Sequence, residues 1–300
     1  MNILISGASG FIGSELVRLL TEQGQNVLSL HRNVENVEQV PFWDIEQEVI
    51  QLNTEEKQEQ IDVVIHLAGE NIAKGCWTAK KKERIWQSRV KGTRLLAEFF
   101  AAATYRPRLM ICASAIGFYG DRGQEKLVEH SPQGTGFLAN VSHAWEEATQ
   151  PAREAGIRVV HTRFGMVFSP NGGALAKMLP AFKMGLGGSL GNGSQYMSWI
   201  SLQDAVQAIN YIIQQEDIEG PINLVAPHPV TNWQFTKALG KALHRPTFLP
   251  IPKFFPSLFL GEMAKELLFA STRVYPERLE KSGYVFTHPD LDIALPELLL

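Results

Sequence analysis

The 300-residue chain sets 28 Lys and Arg against 31 Asp and Glu, a formal net charge of −3, and 45% of it is hydrophobic. That balance excludes the strongly basic surface of a nucleic-acid partner, and the length allows one large domain or two modest ones around a sizeable core. Cys76 and Cys112 are too few for a disulfide framework and read as buried thiols of a reducing compartment. The most apolar stretch, 248–270, is broken by Pro250, Pro252, Lys253, Pro256 and Glu262, so no run of about 18 apolar residues survives. Met1 leads directly into a strand-like run, so no leader is expected. The expectation is a cytoplasmic protein with neither nucleic-acid nor membrane partners.

Ile3, Leu4 and Ile5 read as a buried strand. A loop with Gly7, Gly10 and Gly13 follows, then an amphipathic helix over 11–22 with Leu16, Leu19 and Leu20 on one face and Gly24 placed as its C-cap. A glycine loop between a buried strand and a helix lets backbone N–H groups approach a pyrophosphate at the helix N-terminus, where the dipole favours negative charge. Three glycines also make an ordinary tight turn; the strand before and the helix after give the loop its meaning. Ser6, Ala8 and Ser9 are small enough to leave the loop open, and Phe11 and Ile12 are placed to pack the helix start.

A second strand over 27–30 ends in His31, Arg32 and Asn33, with no acid before Glu35. An acid there would bind a ribose 2′-hydroxyl and favour NAD, whereas an arginine accommodates a 2′-phosphate through charge-assisted hydrogen bonds of about 1.5–3 kcal/mol each. NADP is therefore the expected cofactor; the alternative is an ordinary surface arginine at a strand end. Further strands are read at 63–68 (VVIHLA), 109–114 (LMICAS) and 158–164 (RVVHTRF), with helices over 79–100 and 141–155 between them. Their near-continuous apolar character suits strands covered on both faces. The expected fold is α/β, a Rossmann-type doubly wound parallel sheet over 1–168 with a smaller C-terminal α/β substrate lobe over 169–300, and a segment near 197–215 returning to the first domain. The loop 185–193 holds five glycines and reads as a mobile lid or a plain connection.

The spacing G-x-x-G-x-x-G resembles the extended branch of the short-chain dehydrogenase/reductase superfamily. LAGENIA (67–73), SRVKGT (88–93), SAIGFYGDRG (114–123), NGGALAKMLPAFKMGLGG (171–188), MSWISLQDAVQAI (197–209), NLVAPHPVTNWQF (223–235) and GEMAKELL (261–268) follow in order. Together they resemble the YfcH-like epimerase family of atypical short-chain dehydrogenases over nearly the whole chain. The resemblance implies NADP(H) binding and a sugar-nucleotide-epimerase-like fold without a defined reaction, and allows a homodimer. It places Gly7, Ser9, Gly10, Phe11, Ile12 and Gly13 on the phosphates and Ala68, Gly69 and Glu70 beneath the cofactor. It also places Arg89 on the cofactor side and Arg163, Phe164 and Gly165 by the nicotinamide. Asp44 stands where such proteins contact the adenine; it reads equally as a helix N-cap before 45–50. Asp204, in the S-W-I-x-x-x-D signature with Trp199, is expected to anchor a helix.

Ordinary superfamily members use Tyr-x-x-x-Lys as proton donor and pKa-lowering partner on one helix face. None of the six tyrosines has lysine four residues later, and Phe137 and Val141 stand near the expected positions. Ser114 and Tyr119 are the remaining catalytic candidates, with Glu70, His143 and Glu146 as helpers; Ala115 competes for the serine position, and Tyr119 reads also as a packed loop residue. The cations of 74–94 read as a solvated face, some of them available to phosphates. No metal site is expected. Two functions remain: an NADP(H)-dependent oxidoreductase or epimerase-like enzyme on a small carbonyl or sugar-like substrate, and a non-catalytic dinucleotide-binding sensor.

Overall fold

The computed structural model describes residues 1–32, 40–52 and 60–299; Asn33 and Glu35 lie outside them. In chain order the elements are β1 (Asn2–Ser6), α1 (Phe11–Glu22), β2 (Asn26–Leu30), β3 (Phe42–Asp44), β4 (Val49–Gln51), β5 (Val63–His66), α2 (Ala79–Ala102), β6 (Leu109–Ala115), β7 (Lys126–Leu127), α3 (Phe137–Glu147), α4 (Gln150–Glu154), β8 (Arg158–Phe164) and β9 (Met166–Ser169). There follow α5 (Gly173–Lys183), β10 (Tyr196–Met197), β11 (Trp199–Ser201), α6 (Leu202–Gln214), β12 (Gly220–Leu224), β13 (Val230–Thr231), α7 (Asn232–Leu243), α8 (Phe254–Leu260), α9 (Glu262–Ala264), β14 (Arg273–Val274), α10 (Glu277–Lys281) and α11 (Leu291–Leu299).

Six strands pair in parallel in the order β12-β8-β6-β5-β1-β2. Alternate residues feed two cores, as strand geometry requires. Ile3, Ile5, Ile65, Ile111 and Val160 meet Leu16 and Leu20 of α1 and Ile209 and Ile213 of α6. Leu4, Val64, Met110 and Val159 meet Leu96 and Phe100 of α2, with Trp43 and Ala152. Helices thus cover both faces, and the doubly wound sheet expected from the apolar runs is present. A third core joins Phe168, Trp199, Phe235, Leu239 and Leu295, with Phe168 stacked on Trp199. The chain crosses from one side of β1 to the other between β2 and β5. That places a topological switch point, where such sheets bind ligands, between the carboxyl ends of β1 and β5.

The segment returning to the main sheet extends beyond 197–215, because β12 also joins it at the edge beside β8. Ser201 caps α6 by accepting from the Asp204 N–H, and the Asp204 carboxylate accepts from the Thr287 and His288 N–H groups at 2.8 and 2.9 Å. Asp204 therefore anchors the C-terminal segment to α6, burying its charge among donors.

Several expectations are corrected. No helix follows Asp44: β3 and β4 form an antiparallel hairpin, and Asp44 Oδ1 accepts from the Glu46 and Gln47 N–H groups. The helix over 141–155 starts earlier, at Phe137, and divides into α3 and α4, the second opening with Pro151 in its first turn. Cys112 is buried, but Cys76 is exposed. In the loop 185–193 the Gly191 N–H donates to the Ile251 carbonyl and the Ile251 N–H to that of Ser189, both at 2.8 Å. No described helix is long and apolar enough to cross a membrane.

Candidate functional site

The glycines set the shape of the switch point. Gly7 has φ +77°, and a Cβ there would stand 2.8 Å from the Ala68 backbone nitrogen, so β1 and β5 exit side by side only with glycine at this position. Gly13 is buried in the first turn of α1, where a Cβ would lie 2.1 Å from the Gly7 carbonyl oxygen. Gly10 is the N-cap, with no side-chain cap and no acid in the first turn of α1. Ser9 and Gly10 are exposed, so the N–H donors of this helix start are open to an anion. Phe11 and Ile12 are half-buried and pack the helix start as expected: the Phe11 ring lies against Gly172 and Gly173, where a Cβ would come within 2.5 and 2.9 Å of it, and both residues pack beside the α1/α6 core.

Around this loop several cations gather about the Glu70 carboxylate. Arg32 is exposed at the end of β2, and its field reaches both His66 and Glu70. Arg89 of α2 lies under Gly69, whose Cβ would be 3.3 Å from its guanidinium carbon, and Arg89 Nη1 donates to the Glu70 carbonyl at 3.0 Å. The guanidinium also sits 4.9 Å from the Trp145 ring, and burial brings it down to about 10. Lys81, 4% exposed, donates to Glu70 Oε1 at 2.5 Å and holds that carboxyl below its usual range. The basic run is thus a paired surface in part: Lys82 meets Glu262, Lys91 meets Glu48 and Arg94 meets Glu98.

Behind the site lies a buried polar cluster. Arg163 donates to Glu146 through Nε and Nη2, each at 2.8 Å, and Ser114 Oγ donates to the same carboxylate at 2.7 Å. Arg163 Nη1 donates to Tyr119 Oη at 2.9 Å, and Tyr119 donates to Asn223 Oδ1 at 2.7 Å. Burial acts to raise the Glu146 carboxyl, but Arg163 outweighs it and the group titrates below the carboxylate range. Burial pushes Tyr119 up to about 12.

Tyr119 is fully buried, Ser114 is 2% exposed and Arg163 is 3% exposed. Both hydroxyl donors are committed to protein acceptors, and Arg163 is committed to Glu146 and Tyr119. All three are thus hydrogen-bonded within the protein. Phe164 is half-buried beside the α1/α6 core, and Gly165 is packed tightly, its Cβ position 2.7 Å from the Ser198 carbonyl oxygen. His143 is exposed, with its ring 6.4 Å from that of Phe118. Asp44 spends one carboxylate oxygen on its own turn.

Phe137 opens α3. Its N–H donates to Glu266 Oε1 at 2.7 Å and that of Leu138 to Oε2 at 2.8 Å, while Lys82 Nζ stands 4.5 Å from the Phe137 ring centre. Glu129 and Asn223 were not anticipated from sequence. Asn223 was legible as the one polar residue among Ile222, Leu224 and Val225, all buried. Glu129, whose Oε1 accepts from the N–H of Asn223 94 residues further along the chain, carried no signal; burial raises its carboxyl above the usual range.

Two buried imidazoles give the region an acid response. His66 Nδ1 lies 2.5 Å from Ser6 Oγ, and burial, then Arg89 and Arg32, take it down to about 3. Burial takes His161, 2.9 Å from Thr149 Oγ1, to about 4. The unfolded chain binds these protons near pH 6.5, so stability is intact above that pH and is lost as pH falls toward the folded values. The slope reaches roughly 1.4 kcal/mol per pH unit for each group. Tm is expected to drop from pH 7 to pH 5, less steeply in His66→Gln; an unchanged slope in that variant would contradict the assignment.

Residues 3–225 match the model of the NAD dependent epimerase/dehydratase family, and 251–298 match a domain of unknown function, DUF1731. The epimerase family protein Mb2239 of Mycobacterium bovis is 40% identical over 98% of this chain and 96% of its own length. The epimerase family protein YfhF of Bacillus subtilis is 38% identical over 100% and 98%. The crystal structure of human epimerase family protein SDR39U1 (isoform 2), described with NADPH, aligns at TM-score 0.89 and 28% identity over 99% of both chains. The chain belongs to the NAD dependent epimerase/dehydratase family.

Proposed function

We propose that the chain binds NADP(H) and works as an epimerase-type oxidoreductase on a small carbonyl or sugar-like substrate. The observation that carries this reading is the open N-terminus of α1, uncapped by any side chain and free of acids, with Arg32 exposed beside it. That donor set fits a dinucleotide with a 2′-phosphate, and NADPH is the ligand of the human relative. The N–H groups after Gly10 bind the pyrophosphate, Arg32 binds the 2′-phosphate, and Ala68 and Gly69 leave the backbone bare where the cofactor crosses. Arg89 fixes that turn through the Glu70 carbonyl.

When bound, the cofactor supplies hydride transfer at nicotinamide. Ser114, Tyr119 and Arg163 act as positioning residues that keep the end of β6 and β8 rigid. With both hydroxyls committed, the proton comes from water in the site. The same commitment of Ser114 and Tyr119, with Phe137 at the start of α3, favours a second reading, cofactor binding without turnover.

Arg32→Ala is expected to weaken NADPH binding about tenfold or more and to leave NADH binding unchanged, as loss of one or two charge-assisted bonds requires. Calorimetric titration of both cofactors checks this. Equal affinity of the wild type for NADH and NADPH would overturn the NADP assignment.

A further inference from the structure

One face of the second half of the chain is not explained by cofactor binding. No Asp or Glu occurs between Glu154 and Asp204, nor between Glu219 and Glu262. The structure joins parts of these two acid-free stretches. The 189–191 backbone pairs with Ile251, Arg245 Nε donates to the Lys183 carbonyl at 2.8 Å, and Gly185 packs at Pro246. Large apolar side chains stand in solvent on the joined segments: Met184 at 67%, Leu186, Phe248 at 73% and Leu249, continued on α8 by Leu258 and Phe259. Lys183, Arg245 and Lys253 are exposed among them. On α7, Trp233, Lys237 and Lys241 are exposed at intervals of four and form one stripe of the helix.

Apolar tips set among Lys183, Lys237, Lys241 and Arg245 are complementary to an anionic lipid surface, which accepts the first in its acyl boundary and the second at its headgroups; the carboxylates of Asp121 and Glu262 stand by Lys253 and Ser257, at the α8 margin of the patch. A second copy of the chain fits less well, since a two-fold contact would set these cations against their own kind. We infer that this face docks the protein peripherally on anionic lipid bilayers. Such docking needs no spanning segment and differs from the sequence expectation, which rested on the absence of a long apolar run.

The test is co-sedimentation of the full chain with phosphatidylcholine vesicles and with vesicles containing one-third phosphatidylglycerol. Binding is expected only to the anionic vesicles, to weaken with added salt, and to fall at least about tenfold in Phe248→Ser/Leu249→Ser and in Lys241→Glu/Lys253→Glu. Retained NADPH-induced thermal shift shows that each variant is folded. No sedimentation with anionic vesicles at low salt overturns the proposal, as does binding by both variants as strong as that of the wild type. A dimer in sedimentation velocity that the apolar variant abolishes, without vesicle binding, replaces it with self-association.

Discussion

Glu146→Ala is expected to lower stability by about 3–5 kcal/mol, because it leaves the Arg163 guanidinium buried without its counter-charge. Three donors converge on that carboxylate, two from Arg163 and one from Ser114. The loss is expected to show as a lower denaturation midpoint with an unchanged m-value. Glu146→Leu/Arg163→Met removes both charges and is expected to recover a large part of the loss, since a buried ion pair contributes little net stability over apolar groups of similar volume. A Glu146→Ala protein within about 1 kcal/mol of wild type would show that the cluster is not what holds β6, β8 and α3 together.

Gly13→Ala has the second large effect, on two readouts at once. The added methyl would meet backbone, the Gly7 carbonyl carbon at 2.9 Å as well as its oxygen, so neither partner yields by rotating a side chain. A stability loss of about 3 kcal/mol is expected from such overpacking, together with loss of NADPH binding as the loop moves off the helix N-terminus. Gly24→Ala is the control: φ is +76° there, but a Cβ meets nothing within 4 Å, so only backbone strain follows and NADPH binding persists. Thermal melts with and without NADPH check both; a Gly13→Ala protein that binds as wild type would contradict the packing account.

The sheet was legible because parallel strands covered on both faces carry apolar residues without interruption, and 158–164 and 11–22 are strand and helix over those same bounds. The hairpin at 42–51 was not. An aspartate oxygen accepting from the next two or three N–H groups is equally a helix cap and a turn, and only the pairing of Phe42 with Gln51 distinguishes them.

The glycine loop was readable for a related reason: its meaning is local, carried by the strand and helix that flank it. The cluster around Arg163 was not local. Tyr119 finds Asn223, Ser114 finds Glu146, and no spacing in the chain announces either contact. Because 159–163 are all buried, strand parity gives no hint that Arg163 turns to Glu146 instead of toward a ligand.

The central claim is that this family member both holds NADP(H) and turns it over. Stereospecific transfer of deuteride from labelled NADPH to a panel of small carbonyl and sugar-like compounds tests it most directly. The account predicts transfer of deuterium from one face of the nicotinamide to at least one compound. Tight NADPH binding with no transfer to any of them would contradict turnover and leave a protein that binds the dinucleotide without chemistry.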